Sequence, residues 1–418
     1  MIKHPGNLCI VEYGVLHRGE NLAGGGLPVA DFDWLTRTSI VADRLFTLVT
    51  PDQIKATNYV GVVRCPSGLQ IEILPKIADI ADAGASRRLV MRMLQSGLGL
   101  EKESLHEADL IRAERQLFDW ILEGFLSELG HLLVRGLRAG YVDVEERSSW
   151  LRGRLMMNEW SRQLPSQSHL FPQRRSEFSL NRPENRLIKL ALSIVRRLVS
   201  SSDLWAKARE YELWMDGIDV SKDWRRDWAV WDSGHLMQDY RGILPWTHFI
   251  LSGQLPFTQS GESNGYSWLL PMETLFERHV AGVLRKSCPA NWKLRYQAGG
   301  YHLLSEAGVP RVGMKPDFVA SNGMDTWVLD AKWKLIGKGH DILGDVTEAD
   351  LYQMNAYSLQ VTSGNGHTVL IYPAFGNFTN SVGPLKFMGS ERGLKIVAFD
   401  LATDQLRAPF PFVQARKL

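Results

Sequence analysis

Only three cysteines stand in the 418 residues, Cys9, Cys65 and Cys288, with no C-x-x-C pair. That spacing excludes a disulfide framework or a structural zinc site and fits a reducing cytoplasm. The thiols read as small hydrophobes. Long apolar runs are lacking too. No stretch reaches the roughly 20 residues a bilayer span needs, and the opening MIKHPGNLCIVEYG has no signal-peptide pattern. The expectation is a soluble cytoplasmic chain with no membrane partner. Charge of one sign is missing as well: 48 basic against 46 acidic residues leave +2. No global field draws the chain to nucleic acid, so any such surface must come from local segregation of charge. No G-x-x-x-x-G-K-[ST], G-x-S-x-G or H-E-x-x-H occurs, which excludes a P-loop nucleotide site, a nucleophile elbow and a zincin site.

What is present is ordinary for a folded protein, with 44% hydrophobic and 22% charged residues. The length suits two or three domains. The fold expected is multi-domain α+β, with a β-rich region over 1–85, a helical basic middle over 86–250 and an α/β domain over 260–418. In the first part, strands are expected at 8–13, 59–64 and 69–74. Cys65-Pro66-Ser67-Gly68 should close a hairpin, and Pro75 should stop the last strand. Residues 21–26, rich in glycine, read as a loop. Helical periodicity then appears over 87–98, 107–133 and 183–198, the last with proline in its first turn. Residues 251–266 read as a linker. Beyond it come a helix over 271–286, strands near 293–297, 312–320 and 326–333, a helix over 348–359, and strands at 368–372 and 394–399. The order is an αβββαβ core.

Between 151 and 200 there are ten Lys or Arg against three acids, a local excess of +7. Such a segment is either a solvated face or a phosphate-contacting surface, and Arg152, Arg154, Arg174 and Arg175 are the candidate DNA contacts. Fourteen tryptophans read mainly as core or interface residues, with base stacking as the alternative.

The chemistry concentrates in Met314-Lys315-Pro316-Asp317-Phe318-Val319 and, after a short turn, Thr326 through Lys334. The two runs read as a hairpin. Side chains alternate across a strand, so Asp330 and Lys332 share one face, with Asp317 on the strand beside them. Two carboxylates and an ammonium next to apolar residues must neutralise one another or hold a metal. Hydrolysis of a phosphodiester needs such a set. Carboxylate oxygens of Asp317 and Asp330 suit Mg²⁺, which activates water and stabilises charge on phosphate oxygens, and Lys332 can orient the attacking water. Ala331 offers a backbone carbonyl as a further ligand. Glu277, on the preceding helix, is either another carboxylate at the metal or an exposed charge beside Arg278 and His279. Thr347-Glu348-Ala349-Asp350 fits a capping box with Asp in the usual Glu position. It places Gln353 and Tyr357 one turn apart on one helix face, like the Q-x-x-x-Y element of RecB-like nucleases. The eleven histidines are scattered, and His340 reads as a bystander.

These residues, in order along the chain, resemble the McrC family, the PD-(D/E)XK endonuclease subunit of McrBC-type modification-dependent restriction systems. The resemblance is carried by Asn58-Tyr59-Val60-Gly61-Val62-Val63, Ile71 through Ile77, Gly136-Leu137 to Tyr141, Leu151-Arg152-Gly153-Arg154-Leu155, Asn185 through Lys189 and Leu275-Phe276-Glu277. Pro316-Asp317, Asp330-Ala331-Lys332 and Asp350 through Tyr357 complete it. It implies a restriction-endonuclease-like core, Mg²⁺ as cofactor, and a separate AAA+ GTPase that forms rings, recognises double-stranded DNA carrying modified cytosine and translocates. In such systems the N-terminal region docks on the ring and stimulates its hydrolysis. The chain departs from the pattern in an extended, Trp-rich middle (Trp205, Trp214, Trp224, Trp228, Trp231, Trp246). Two other readings stand beside it: a stand-alone RecB-like or restriction nuclease, and a regulatory subunit that mainly activates an NTPase.

Overall fold

Leu74 is the last residue of its strand because Pro75 has no N–H to continue the ladder. The strand Gln70–Leu74 is buried along nearly its whole length, since it lies inside a sheet. It pairs in parallel with Asn7–Val11 and antiparallel with Tyr59–Arg64. The turn between the antiparallel pair closes with Gly68 N–H on the Cys65 carbonyl, at 2.9 Å. Gly68 has φ +93°, which glycine adopts without strain. The fourth strand, Tyr266–Pro271, comes from the far side of the sequence and pairs with Tyr59–Arg64.

The structure, a computed structural model, describes residues 7–19, 26–41, 45–76, 83–98, 117–199, 201–232, 234–252, 266–337, 341–362, 366–389 and 392–413. The expected loop at 21–26 apart from Gly26, the first part of the expected helix 107–133, most of the linker and His340 lie outside the described residues. Among the described residues, no helix is long and apolar enough to cross a membrane.

By packing, the chain forms two units, Met1–Leu117 with Gln254–Leu418, and Phe118–Gly253. The helix Ala83–Leu98, expected with the middle region, therefore belongs with the first unit. It packs on the helix Met272–Ser287, and the approach is close: a Cβ on Gly282 would stand 2.6 Å from the Ser96 carbonyl oxygen. The first unit also holds a four-stranded sheet in the order Gly26–Leu27, Val15–Arg18, Gln53–Ala56, Phe46–Thr50. Leu16, Phe32, Ile54, Val63, Ile71 and Leu269 share one apolar core.

The C-terminal part of this unit is built on a seven-stranded mixed sheet. Lys293–Tyr296, Phe318–Ser321 and Thr326–Ala331 run antiparallel in turn. His367–Pro373 then joins in parallel to Thr326–Ala331, and Gly393–Asp400 in parallel to His367–Pro373. With Met272–Ser287 before the first strand and Glu348–Gln360 before His367–Pro373, the order is the αβββαβ core expected. Strand Thr326–Ala331 is buried over its last five residues, as befits the centre of such a sheet.

One expected strand is not a single element. Residues 312–320 divide into the end of Val309–Met314, which pairs with Tyr301–Glu306 as a separate hairpin, and Phe318–Ser321 in the main sheet. Pro316 cannot donate to a ladder, and Val312 adopts a left-handed φ of 53°. Asp317 accordingly sits at the entrance to its strand.

In the second unit the helix Pro183–Leu198 has the bounds its periodicity predicts, and Leu187, Ile188, Ala191, Leu192 and Val195 form its buried face. The helix Ile243–Ser252 runs into what reads in sequence as linker. The middle is not wholly helical: Gly140–Ser148, Arg154–Leu155 and Phe171–Ser179 make a three-stranded sheet. Its strand Gly140–Ser148 alternates half-buried with exposed residues, so it lacks the apolar stripe that marks a half-buried strand in sequence. Of the middle tryptophans, Trp246 is buried against Trp120, with ring centroids 5.7 Å apart, while Trp205 and Trp214 are exposed.

Candidate active site

The site forms where the hairpin Phe318–Ser321/Thr326–Ala331 meets the helix Glu348–Gln360. Register opposes Phe318 to Leu329, which carries Asp317 alongside Asp330. Asp317 Oδ2 accepts the backbone N–H of Ala331 at 2.8 Å. Its own carbonyl accepts Gln297 N–H at 2.7 Å. Asp330 is 1% exposed. Its Oδ2 lies 2.7 Å from Lys332 Nζ, so the two side chains do share a face, although the strand itself ends at Ala331. Beyond that ion pair, Oδ2 receives no well-aligned hydrogen bond among the described residues.

Burial pushes the Asp317 carboxyl up, to about 8, and the charges of Asp330 and Glu277 add to it. Burial also pushes Asp330 up, even with Lys332 beside it. Burial alone would lower the Lys332 ammonium, but Asp330 reverses that and holds it above its usual value. With both aspartates ionised the arrangement would hold more negative charge than one lysine neutralises, which is why a proton is retained there.

Glu277 is half-buried on Met272–Ser287. Its Oε1 accepts Gln297 Nε2 at 3.0 Å, and Lys315 Nζ donates to Gln297 Oε1 at 2.9 Å. Its charge is felt at both aspartates, yet no group of three or more His, Cys, Asp or Glu poised for a metal exists among the described residues. A cation here would rest on the two aspartates and main-chain or solvent oxygens. That suits Mg²⁺, which keeps several waters.

Gln353 and Tyr357 come together as the helix spacing predicts, with Gln353 Nε2 donating to Tyr357 Oη at 2.9 Å. Tyr357 is buried, and its phenol is pushed up first by burial and then by Asp330. At the helix start Thr347 Oγ1 accepts Asp350 N–H at 3.4 Å. The Asp350 carboxylate accepts Lys334 Nζ at 2.6 Å and Tyr372 Oη at 3.0 Å. These bonds, with Lys334 Nζ on Thr347 Oγ1 at 3.2 Å, tie the helix to the sheet. Burial would raise Asp350, but the bonds from Lys334, Thr347 and Tyr372 hold it below the usual carboxylate range. Sequence reasoning missed Lys334, Asp350 and Tyr372 as a group. Two of them lie inside the quoted motifs, whereas Tyr372 comes from another strand and left no local signal.

The four arginines read as DNA contacts lie in the second unit. Arg152 and Arg154 are exposed. Arg174 pairs with Glu145 at 2.5 Å, and Arg175 with Glu146 at 3.1 Å and Glu177 at 2.9 Å. Glu145 and Glu146 fall just before the counted segment, on the strand paired with Arg174 and Arg175. The excess counted along the sequence is thus partly cancelled in space. Gly153 is needed for close approach: a Cβ there would lie 2.4 Å from the Arg174 carbonyl oxygen. Gln173, fully buried, accepts the N–H groups of Arg152 at 2.5 Å and Gly153 at 2.8 Å through Oε1.

A mixed sheet with this helix–strand order, and paired carboxylates beside a lysine at one end of its central hairpin, has the form of an α/β core with a candidate hydrolytic centre. The family model of the McrBC 5-methylcytosine restriction system component matches residues 54–373, and the chain belongs to that family. Among solved structures, the refined half-complex from the tetradecameric assembly of Thermococcus gammatolerans McrB AAA+ hexamers with bound McrC aligns with a TM-score of 0.60 at 19% identity. That alignment covers 97% of this chain and 97% of that one. The cryo-EM structure of the Thermococcus gammatolerans McrBC complex aligns with a TM-score of 0.47 at 19% identity, over 67% of this chain and 88% of the other. No curated protein matches.

Proposed function

We propose that the chain is the cutting subunit of a modification-dependent restriction complex: a Mg²⁺-dependent DNA endonuclease that works with a separate AAA+ GTPase ring. The observation that carries this reading is the Asp317–Asp330–Lys332 set, half-buried around a fully buried Asp330 whose Oδ2 has the Lys332 ammonium at 2.7 Å and, among the described residues, no well-aligned hydrogen bond. Membership of the family and the likeness in fold to a chain solved with McrB AAA+ hexamers support the ring partner.

In this reading Asp317 and Asp330 hold the cation, with the Ala331 carbonyl as a further ligand and Glu277 near enough to act through its charge. The bound cation supplies an activated water and stabilises charge on the phosphate oxygens. Lys332, already held on Asp330, orients the water and meets negative charge developing on the phosphate. Gln353 borders the set and offers its amide to the DNA backbone, held in place by the buried Tyr357 hydroxyl behind it. The exposed Arg152 and Arg154 are proposed phosphate contacts, and Arg174 and Arg175 join them only by leaving their glutamates. The DNA read by the complex is double-stranded and carries modified cytosine.

The test is Asp330→Ala in the complex with its GTPase partner, GTP, Mg²⁺ and methylated DNA. Cleavage should vanish while circular dichroism and partner binding stay as in the wild type. Retained cutting would sink the assignment.

A further inference from the structure

Glu12 is 1% exposed, a costly place for a carboxylate. It follows the strand Asn7–Val11, and its N–H donates to the Leu74 carbonyl at 2.7 Å. Its Oε1 accepts two donors, Lys76 N–H at 3.0 Å and the indole Nε1–H of Trp333 at 2.9 Å. Trp333 lies between Lys332 and Lys334, in the segment that continues past the end of the strand Thr326–Ala331.

The three consecutive side chains go to three different supports. Lys332 reaches Asp330, Lys334 reaches Thr347 and Asp350, and Trp333 reaches Glu12 while packing on Phe276 with ring centroids 5.4 Å apart. Past the strand end, Lys332 N–H still donates to the Ile371 carbonyl at 2.9 Å. The indole between the two lysines is thus a point at which the end of the N-terminal strand takes hold of the segment beside the candidate centre. An apolar side chain at position 12 would fill the same space at lower cost but could not accept the indole N–H.

We propose that Glu12 is a positioning residue for the candidate nuclease centre: by accepting the Trp333 indole N–H, it fixes the segment that presents Lys332 to Asp330. This rests on the nuclease reading above. Groups that hold a site's ligands in place change metal affinity or activity by about 10- to 100-fold when removed.

The experiment compares Glu12→Gln, Glu12→Leu, Trp333→Phe and the Glu12→Leu/Trp333→Phe double variant of the full chain. It reads kcat and KM for DNA cleavage with the GTPase partner at saturating Mg²⁺, and amide hydrogen exchange over residues 332–334 without partner or metal. Glu12→Leu and Trp333→Phe should each lower kcat by about 10- to 100-fold at unchanged KM and speed exchange at Lys332. The double variant should be no worse than either single one. Glu12→Gln, whose amide oxygen still accepts the indole, should stay near wild type. Trp333→Phe keeps an aromatic ring against Phe276, so it carries the test if Glu12→Leu fails to fold. Unchanged kcat in Trp333→Phe, or losses that multiply in the double variant, would overturn the proposal. A wild type that does not cut brings down the nuclease reading instead. Exchange then decides the contact by itself, and unchanged exchange over 332–334 overturns it.

Discussion

Asp317 Oδ2 takes the backbone N–H of Ala331 at 2.8 Å, so one candidate metal ligand is oriented by the main chain next to the other. The bond holds Asp317 against the central strand although it lies just outside its own. Burial and the nearby charge of Asp330 both weigh on that carboxyl.

That crowding has a pH signature. The Asp317 carboxyl is raised to about 8, above the roughly 3.9 of an unfolded aspartate. The native state then binds more protons than the unfolded state between those values, so Asp317 lowers stability as pH rises from about 4 to 8. In EDTA, the Tm of the wild type should fall across pH 6 to 8, and Asp317→Asn should flatten that fall. At pH 8, Mg²⁺ should raise the wild-type Tm by mass action and leave Asp317→Asn unmoved. Identical melting profiles in the two proteins would refute the assignment.

Lys332 has its own expected phenotype. Lys332→Gln should cut about 100- to 1,000-fold more slowly, the scale for loss of a group that stabilises transition-state charge. DNA affinity, measured by fluorescence anisotropy in Ca²⁺, should change little, because one lysine is a minor part of any phosphate-contacting surface.

The ion pairs of the second unit predict a gain. Replacing Glu145, Glu146 and Glu177 by Gln frees Arg174 and Arg175 from the pairs at 2.5, 3.1 and 2.9 Å. Non-specific DNA binding should tighten, and the slope of log K against log salt should steepen by about two. An unchanged slope would mean that this sheet does not meet the phosphate backbone.

Gly153→Ala should destabilise the same sheet by about 1–3 kcal/mol, the usual cost of overpacking, since its Cβ would lie 2.4 Å from the Arg174 carbonyl oxygen. Chemical denaturation measures it. Hydrogen exchange should show the loosening at Phe171–Ser179 before the helix Pro183–Leu198.

Much of the site was legible because it is local. Asp330 and Lys332 are two residues apart on a strand, Gln353 and Tyr357 four apart on a helix, and side-chain periodicity alone brings each pair together. What escaped the sequence is long-range. The strand Tyr266–Pro271 is recognisable only through its partner Tyr59–Arg64, and Tyr372 joins Asp350 across two elements. The basic segment is less basic in space than in sequence because a count along the chain does not see Glu145 and Glu146 across the ladder. The break at Lys315-Pro316-Asp317 was missed for a different reason: apolar flanks suggested one strand, whereas proline and the Asp317 side-chain bond divide it.

The strand Tyr266–Pro271 has a consequence for biosynthesis. It completes the N-terminal sheet from beyond the second unit, so Tyr59–Arg64 must wait, one edge open, while all of Phe118–Gly253 leaves the ribosome. An open apolar edge of that kind is where nascent chains pair wrongly. Trigger-factor-type holdases should therefore engage this protein early, and fragments ending before Tyr266 should aggregate where the full chain does not.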